Sequence, residues 1–282
     1  MIVPALVTPF DAAGRPDAAA LQELIDRLAP QVDGFLVLGS TGEAVTLAPE
    51  ERAELLSALR VKKQLWVGVG DESLALAERH ARTALDAGAD HLLAMPPRFY
   101  DRAMDPGAFR AYFHGLAELG EVWLYHVPIF TKAAFPLEVV CELAAHPRIQ
   151  GIKDSSGEMA RLEHYRQFAP GLRVFTGSGT TLPAAVASGA EGAILAVANL
   201  APRLYARVFA EAQRGALNAR LAGLAYETAA LFGRGGIPLL KQALRHLGLP
   251  VGAPRAPFPS ESPFWDEAVP LLEKLQEEGW LL

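Results

Sequence analysis

Cysteine is nearly absent: Cys141 is the sole one among 282 residues. That excludes an intrachain disulfide framework and suits a reducing compartment. Cys141 lies in LEVVCELAA, an apolar stretch of helical character, where a free thiol packs as a small hydrophobe rather than acting as a nucleophile. No uninterrupted apolar run reaches the roughly 18 residues that suggest a membrane-spanning helix. The opening MIVPALVTPFDAAG has no basic start and carries Pro4 and Pro9, so it does not read as a secretory signal, and a cytoplasmic location is expected. Positive charge is also in deficit, with a net charge of −6, which argues against a broad nucleic-acid footprint. The seven histidines are scattered, with no HxH or HExxH, so no metal site is expected. GVGDES (68–73) lacks the last glycine of a dinucleotide fingerprint, and neither GxSxG nor GxxxxGK[ST] occurs. No cofactor is expected.

What the chain does contain is an alternation of short β-rich runs with longer amphipathic ones. The runs are IVPALV (2–7), GFLVLG (34–39), QLWVGVG (64–70), HLLAMP (91–96), VWLYHV (122–127), IQGIK (149–153), RVFTG (173–177) and GAILAV (192–197). Runs that are apolar nearly throughout belong in a parallel sheet covered on both faces. Eight strand–helix units in one chain predict an α/β fold, a closed (β/α)8 TIM barrel. After the eighth unit, ALNARLAGLAYETAALFG, IPLLKQALRHLG and PFWDEAVPLLEKLQEEG read as three further helices. The expected division is a barrel over residues 1–215 and a helical appendage over 216–282, packed on it as one functional unit.

In such a barrel, chemistry sits at the C-terminal ends of the strands. Of the six lysines, only Lys153 falls at a strand end; Lys62 and Lys63 precede the third strand, Lys132 is in a loop, and Lys241 and Lys274 are in the tail. Apolar neighbours disfavour an ammonium there, and the neutral amine is the form that attacks a ketone to make a Schiff base. A solvated lysine, or one paired with Asp154, is the plainer alternative. Tyr125 ends the preceding strand, so its hydroxyl can stand beside that amine and move protons between alcohol, carbinolamine and water. GSTGE (39–43) adds a turn in which Gly39 and Gly42 allow backbone N–H groups to face inward. Ser40 and Thr41 supply hydroxyls for a carboxylate, and Thr41 is the expected hydrogen-bond partner of the tyrosine. Glu43 reads as structural, accepting backbone donors within its own turn. GSGTT (177–181) is a weaker anion or sugar-hydroxyl signal, equally consistent with a plain strand-to-helix turn.

GSTGE, YHVP and GIKDSSG in this order resemble the dihydrodipicolinate synthase/N-acetylneuraminate lyase family of Schiff-base aldolases, over nearly the whole chain. The resemblance implies a (β/α)8 barrel with a C-terminal helical region, usually tetrameric. It also implies that Lys153 forms an imine with pyruvate or another 2-oxo acid, that Tyr125 shuttles protons, that Ser40 and Thr41 hold the carboxylate, and that Gly177 lines the pocket. The family's YNxP is YHVP here, with His126 in place of Asn. Dihydrodipicolinate synthases typically carry an arginine just after that motif to grip the aldehyde's carboxylate; Phe130 stands there, and an apolar ring cannot replace a guanidinium. PPRFYDR (96–102) and the tail are more like the 2-keto-3-deoxygluconate aldolases. On that likeness Arg98 and Arg102 are candidates for reading a polyhydroxy acid or carboxylate, and Tyr100 for a residue lent across a subunit interface.

Three functions are therefore in competition. The first is a class I aldolase, a carbon–carbon lyase releasing pyruvate from a 2-keto-3-deoxy sugar acid. The second is dihydrodipicolinate synthase, which condenses pyruvate with aspartate semialdehyde. The third is a non-catalytic 2-oxo acid sensor, against which the Lys–Tyr–hydroxyl trio argues, since a sensor needs no proton shuttle. The expected partner is a small 2-oxo acid, with neither nucleic acid nor membrane involved.

Overall fold

The computed structural model describes residues 1–99, 103–131 and 135–282. Its strands are β1 (Ile2–Pro4), β2 (Gly34–Val37), β3 (Gln64–Gly68), β4 (His91–Ala94), β5 (Val122–His126), β6 (Ile149–Asp154), β7 (Arg173–Thr176) and β8 (Gly192–Leu195). All paired strands are parallel, in the order β1-β8-β7-β6-β5-β4-β3-β2. A parallel bridge between Ala5 and Leu36 joins the two ends of that order, with the Leu6 amide donating to the Leu36 carbonyl at 2.8 Å. Each apolar run thus became one barrel strand, buried almost throughout, because one face meets the lumen and the other meets helices.

The lumen is filled by three large aromatics facing three glycines. Trp66, Trp123 and Phe175 are fully buried and pack edge-on or tilted, with ring centroids 4.7 to 6.1 Å apart. Each ring occupies the space beside a glycine on a neighbouring strand. A Cβ on Gly34 would lie 2.7 Å from Trp66, one on Gly151 2.6 Å from Trp123, and one on Gly192 2.6 Å from Phe175. Alternating large and small residues is how a tapered cylinder reaches the packing density of a protein interior. This plug closes the lower barrel and leaves the inward positions above it open for chemistry.

The helices on the outside are α1 (Ala18–Leu28), α2 (Pro49–Ala58), α3 (Leu74–Asp86), α4 (Pro106–Ala117), α5 (Pro128–Thr131), α6 (Leu137–Leu143), α7 (Met159–Phe168), α8 (Leu182–Ala187) and α9 (Pro202–Gln213). Side chains of Asp17, Ser73 and Asp105 accept from backbone amides three residues on, satisfying donors that each first helical turn leaves free. Cys141 lies in α6, half-buried, as its apolar setting suggested.

The tail follows expectation: its first two segments are two helices that meet at a kink within α10 (Ala219–His246), and α11 (Trp265–Glu277) follows. The break lies at Gly236, whose φ of 59° and ψ of −152° are not helical, with Pro238 two residues on. A positive φ with that ψ is nearly confined to glycine, and proline lacks the N–H that a continuous helix would need there. Residues on both sides of the kink, among them Phe232 and Ile237, line the cavity that Lys153 enters. Among the described residues, no helix is long and apolar enough to cross a membrane.

Candidate active site

Tyr125 and Lys153 are register partners on adjacent strands β5 and β6. Side chains alternate along a strand, so Tyr125 continues the inward series begun by Trp123, and Lys153 the series begun by Gly151. The Lys153 ammonium nitrogen lies over the Tyr125 ring, 4.2 Å from its centroid. Both side chains are buried, at 3% and 4% exposure. The alternative pairing with Asp154 does not occur, because Asp154 points outward to the helices. There its carboxylate takes the Arg161 guanidinium at 3.3 Å, the Tyr165 hydroxyl at 3.1 Å and the Ser156 amide at 2.9 Å. Among the described residues, no carboxylate forms an ion pair with Lys153.

Burial by itself raises the Tyr125 phenol, but the charge of Lys153 and hydrogen bonds from Ser40, Ser155 and Lys153 outweigh it. The net direction is downward. A phenol eased toward ionisation beside an amine is a proton carrier that can act in both directions. Ser40 Oγ and Tyr125 Oη share a hydrogen bond of 3.1 Å. Ser40, not Thr41, is therefore the hydroxyl that touches the tyrosine; Thr41 lines the cavity beside it.

The GSTGE turn is built differently from the sequence expectation. Its left-handed residues are Leu38 (φ 55°) and Glu43 (φ 53°), not the glycines. Gly39 and Gly42 serve close approach instead: a Cβ on Gly42 would meet the Leu6 carbonyl at 3.1 Å and the Leu38 amide nitrogen at 3.2 Å. The Thr8 hydroxyl also donates to the Gly42 carbonyl at 2.6 Å. Glu43 was expected to accept backbone donors within its own turn; it is buried, and its carboxylate instead leaves the turn, pairing with Lys241 at 2.7 Å and accepting the Arg255 amide at 2.8 Å.

These groups open onto a cavity of about 550 Å³ lined by Ser40, Thr41, Tyr125, Lys153, Ser155 and Gly177, among others. Gly177 is required by space: a Cβ there would collide with Ser155 Oγ and sit 3.1 Å from Lys153 Cε. An amine, a phenol with lowered pKa and several hydroxyls in one pocket can form and hydrolyse an imine while passing protons among themselves.

Comparison with known proteins agrees with this geometry. Residues 1–269 match the model of the Dihydrodipicolinate synthetase family. The chain belongs to that family. Its members are lyases of the Schiff-base class I aldolase type, and this chain is an enzyme of that type. A 4-hydroxy-tetrahydrodipicolinate synthase of Corynebacterium diphtheriae is 32% identical over 280 residues, covering 94% of this chain and 91% of its own. An uncharacterised DapA-like lyase of Chloroflexus aurantiacus is 34% identical over 219 residues, 74% of this chain and 73% of that one. Among solved structures, a Thermus thermophilus protein provisionally assigned as a dihydrodipicolinate synthase superposes with a TM-score of 0.96 at 49% identity, covering all of both chains. The chloride-inhibited dihydrodipicolinate synthase of Acinetobacter baumannii, solved in complex with pyruvate, gives 0.88 at 26% identity, covering 99% of this chain and 98% of that one.

Phe130, where an arginine was expected in dihydrodipicolinate synthases, lines the cavity with Ile129 and gives it an apolar wall. His126 ends β5, directly after Tyr125, and is buried, its Nδ1 accepting from the Phe135 amide at 3.4 Å; burial pushes its pKa down to about 4. Arg98 does not join the Lys153 cavity. It pairs with Glu72 at 2.8 Å and lines a separate cavity of about 280 Å³ with Arg52 and His80. The reason is that the strand-four loop turns outward toward α3, and Glu72 also binds the Arg98 and Phe99 amides. Tyr100 and Arg102 lie outside the described residues. Sequence reasoning missed the contribution of α10, from which Phe232, Arg234, Ile237 and Leu240 line the pocket. The GG-I-P break was the available signal, since a kinked helix after a barrel marks a place where backbone is being redirected. Ser178 and Thr180, from the weak GSGTT signal, also line it and hydrogen-bond each other at 3.1 Å.

Proposed function

We propose that this enzyme is a pyruvate-dependent class I aldolase that cleaves a 2-keto-3-deoxy sugar acid to pyruvate and an aldehyde, and also runs the reverse condensation. The observation that carries the reading is the in-register placement of Tyr125 and Lys153 inside one cavity. Ser40 and Thr41 hold the 2-oxo acid carboxylate, and the Lys153 amine attacks the keto carbon. Tyr125 carries a proton from nitrogen to oxygen to give the carbinolamine, then donates its own proton to the departing hydroxyl, which leaves as water and yields an iminium and a phenolate. The Tyr125 phenolate then accepts the proton of the hydroxyl on the far carbon of the bond to be cleaved. The carbon–carbon bond breaks, the aldehyde departs, and the electron pair moves onto the iminium nitrogen as an enamine. Protonation at carbon and hydrolysis return pyruvate and free lysine. The iminium is the electron sink, so this route needs nothing beyond the chain's own groups.

The second reading, condensation of pyruvate with aspartate semialdehyde, is favoured by the names of the relatives at 32% to 34% identity. Phe130 counts against it, because an apolar ring offers a carboxylate no donor. Arg234, held by Glu267 at 2.7 Å, is the one cation besides Lys153 among the described residues lining the pocket. The pocket hydroxyls of Ser155, Ser178 and Thr180 suit a polyol better than a second carboxylate. Residues 1–215 and 216–282 act as one unit in this proposal, since α10 supplies a wall of the site. The enzyme is further proposed to work in the cytoplasm as a homotetramer, on the strength of the family resemblance.

The test is direct. Pyruvate with borohydride should add one reduced adduct to the intact protein, at Lys153; an unmodified mass ends the reading. Turnover on 2-keto-3-deoxygluconate set against turnover on aspartate semialdehyde then decides between the two acceptors.

A further inference from the structure

The chain buries a second lysine that the reaction does not use. Lys241, on α10, has no exposed surface, and its ammonium meets Glu43 at 2.7 Å, the Ala253 carbonyl at 3.2 Å and the face of Phe10 at 4.2 Å. Glu43 is the last residue of the turn that carries Ser40 and Thr41, and its own amide donates to the Ser40 carbonyl at 3.1 Å. It adopts a left-handed φ of 53° that glycine would accept at less cost. A glutamate kept there is kept for its side chain. The other carboxylate oxygen accepts the Arg255 amide, and the Arg255 guanidinium binds the Gly14 and Thr46 carbonyls and Glu51, on either side of the turn. On the opposite side of Lys241, its neighbour Leu240 faces the catalytic cavity.

A buried ion pair is weak evidence of stabilisation, because desolvation offsets much of the attraction; its best-attested use is to set register between elements. Here burial lowers Lys241 to about 8 even though Glu43 opposes the shift, and Arg245 and Arg255 add to it. The pair is costly and joins two walls of one pocket.

We propose that Lys241 is a positioning residue: through Glu43 it clamps the Ser40–Thr41 turn to the kinked C-terminal helix, setting those hydroxyls where they receive the substrate carboxylate. The clamp rests on the carboxylate role given to Ser40 and Thr41 above. It acts mainly on binding: strands β5 and β6 hold the lysine–phenol pair, and although Ser40 also hydrogen-bonds Tyr125, the charge of Lys153 and the Ser155 hydroxyl remain to ease the phenol when the turn shifts. Loss of the clamp therefore weakens pyruvate capture while slowing the imine step only slightly.

The experiment follows borohydride trapping as a function of pyruvate concentration, in wild type, Lys241→Met and the double variant Glu43→Gln/Lys241→Met. Lys241→Met should raise the half-saturating pyruvate concentration about tenfold, with the maximal trapping rate within about twofold of wild type. The double variant leaves no buried charge unpaired, so its thermal midpoint should return toward wild type while its half-saturation stays high. Should Lys241→Met fail to fold, the double variant carries the comparison alone. A double variant with wild-type half-saturation overturns the clamp, as does a loss confined to the maximal rate. Wild type that is never trapped sinks the functional reading and the clamp's role with it, whereas trapped wild type with an unaltered double variant sinks the clamp only.

Discussion

Among the described residues two lysines are buried, and they illustrate what burial does and does not accomplish. Lys153 is 3% exposed and Lys241 is fully buried. Lys241 is matched by a carboxylate, a carbonyl and an aromatic face, so its charge is accounted for and its nitrogen has no room to react. Lys153 faces a phenol and a cavity, and the nearest acid in sequence, Asp154, is committed to Arg161 and Tyr165 on the far side of the strand. Desolvation is common to both; the difference lies in whether a partner or a void stands in front of the nitrogen. One arrangement satisfies a buried charge; the other leaves an amine facing open space, the setting that the proposed imine chemistry requires.

The comparison breaks most sharply at Lys153. Lys153→Ala should abolish the pyruvate–borohydride adduct and lower turnover by about 10⁴-fold or more, as removal of a covalent nucleophile does; a surviving adduct would assign the chemistry to another amine. Next comes Tyr125→Phe, which keeps the ring under the amine and removes only the hydroxyl. Its kcat should fall about 10²- to 10³-fold with pyruvate affinity changed little, read from steady-state kinetics. Lys241→Met leaves Glu43 buried without a counter-charge and should cost about 3–5 kcal/mol in denaturant unfolding, where Lys153→Ala should cost far less. The packing beneath Lys153 is probed by Gly151→Ala, whose methyl meets Trp123 at 2.6 Å. A loss of about 1–3 kcal/mol is expected there, with overpacking of the lumen as the cause.

The smallest effect is one of pH. His126 has a folded pKa of about 4, below the usual 6.5. Between those values the unfolded chain binds more protons, so this group's contribution is complete above about 6.5 and lost as pH falls toward 4. Thermal midpoints measured across that window should decline in wild type, and less so in His126→Asn.

Much of the fold was legible in advance, and for a clear reason. A strand buried on both faces must be apolar nearly throughout, so all eight runs announced themselves, and a lysine ending one of them stood out against the other five. Tyr125 was legible by the same logic of strand ends. The hydroxyl partner was not: GSTGE offered two neighbouring hydroxyls, and only the left-handed turn at Leu38 and Glu43 decides that Ser40 is the one reaching Tyr125. Arg98 was misplaced because a charge in a loop carries no periodicity to show which way the loop turns, and Glu72 turns it outward.

By itself, the sequence determined the strand count, the parallel barrel and the two candidate reactive side chains, since each follows from local pattern and from the rule that barrel chemistry gathers at the strands' C-terminal ends. Only the tertiary structure decided that Asp154 faces away from Lys153, that α10 lines the pocket, and that Glu43 finds Lys241 from the other end of the chain. Those outcomes depend on contacts between residues remote in sequence, where burial, the removal of water and the need to match every buried charge select the partner.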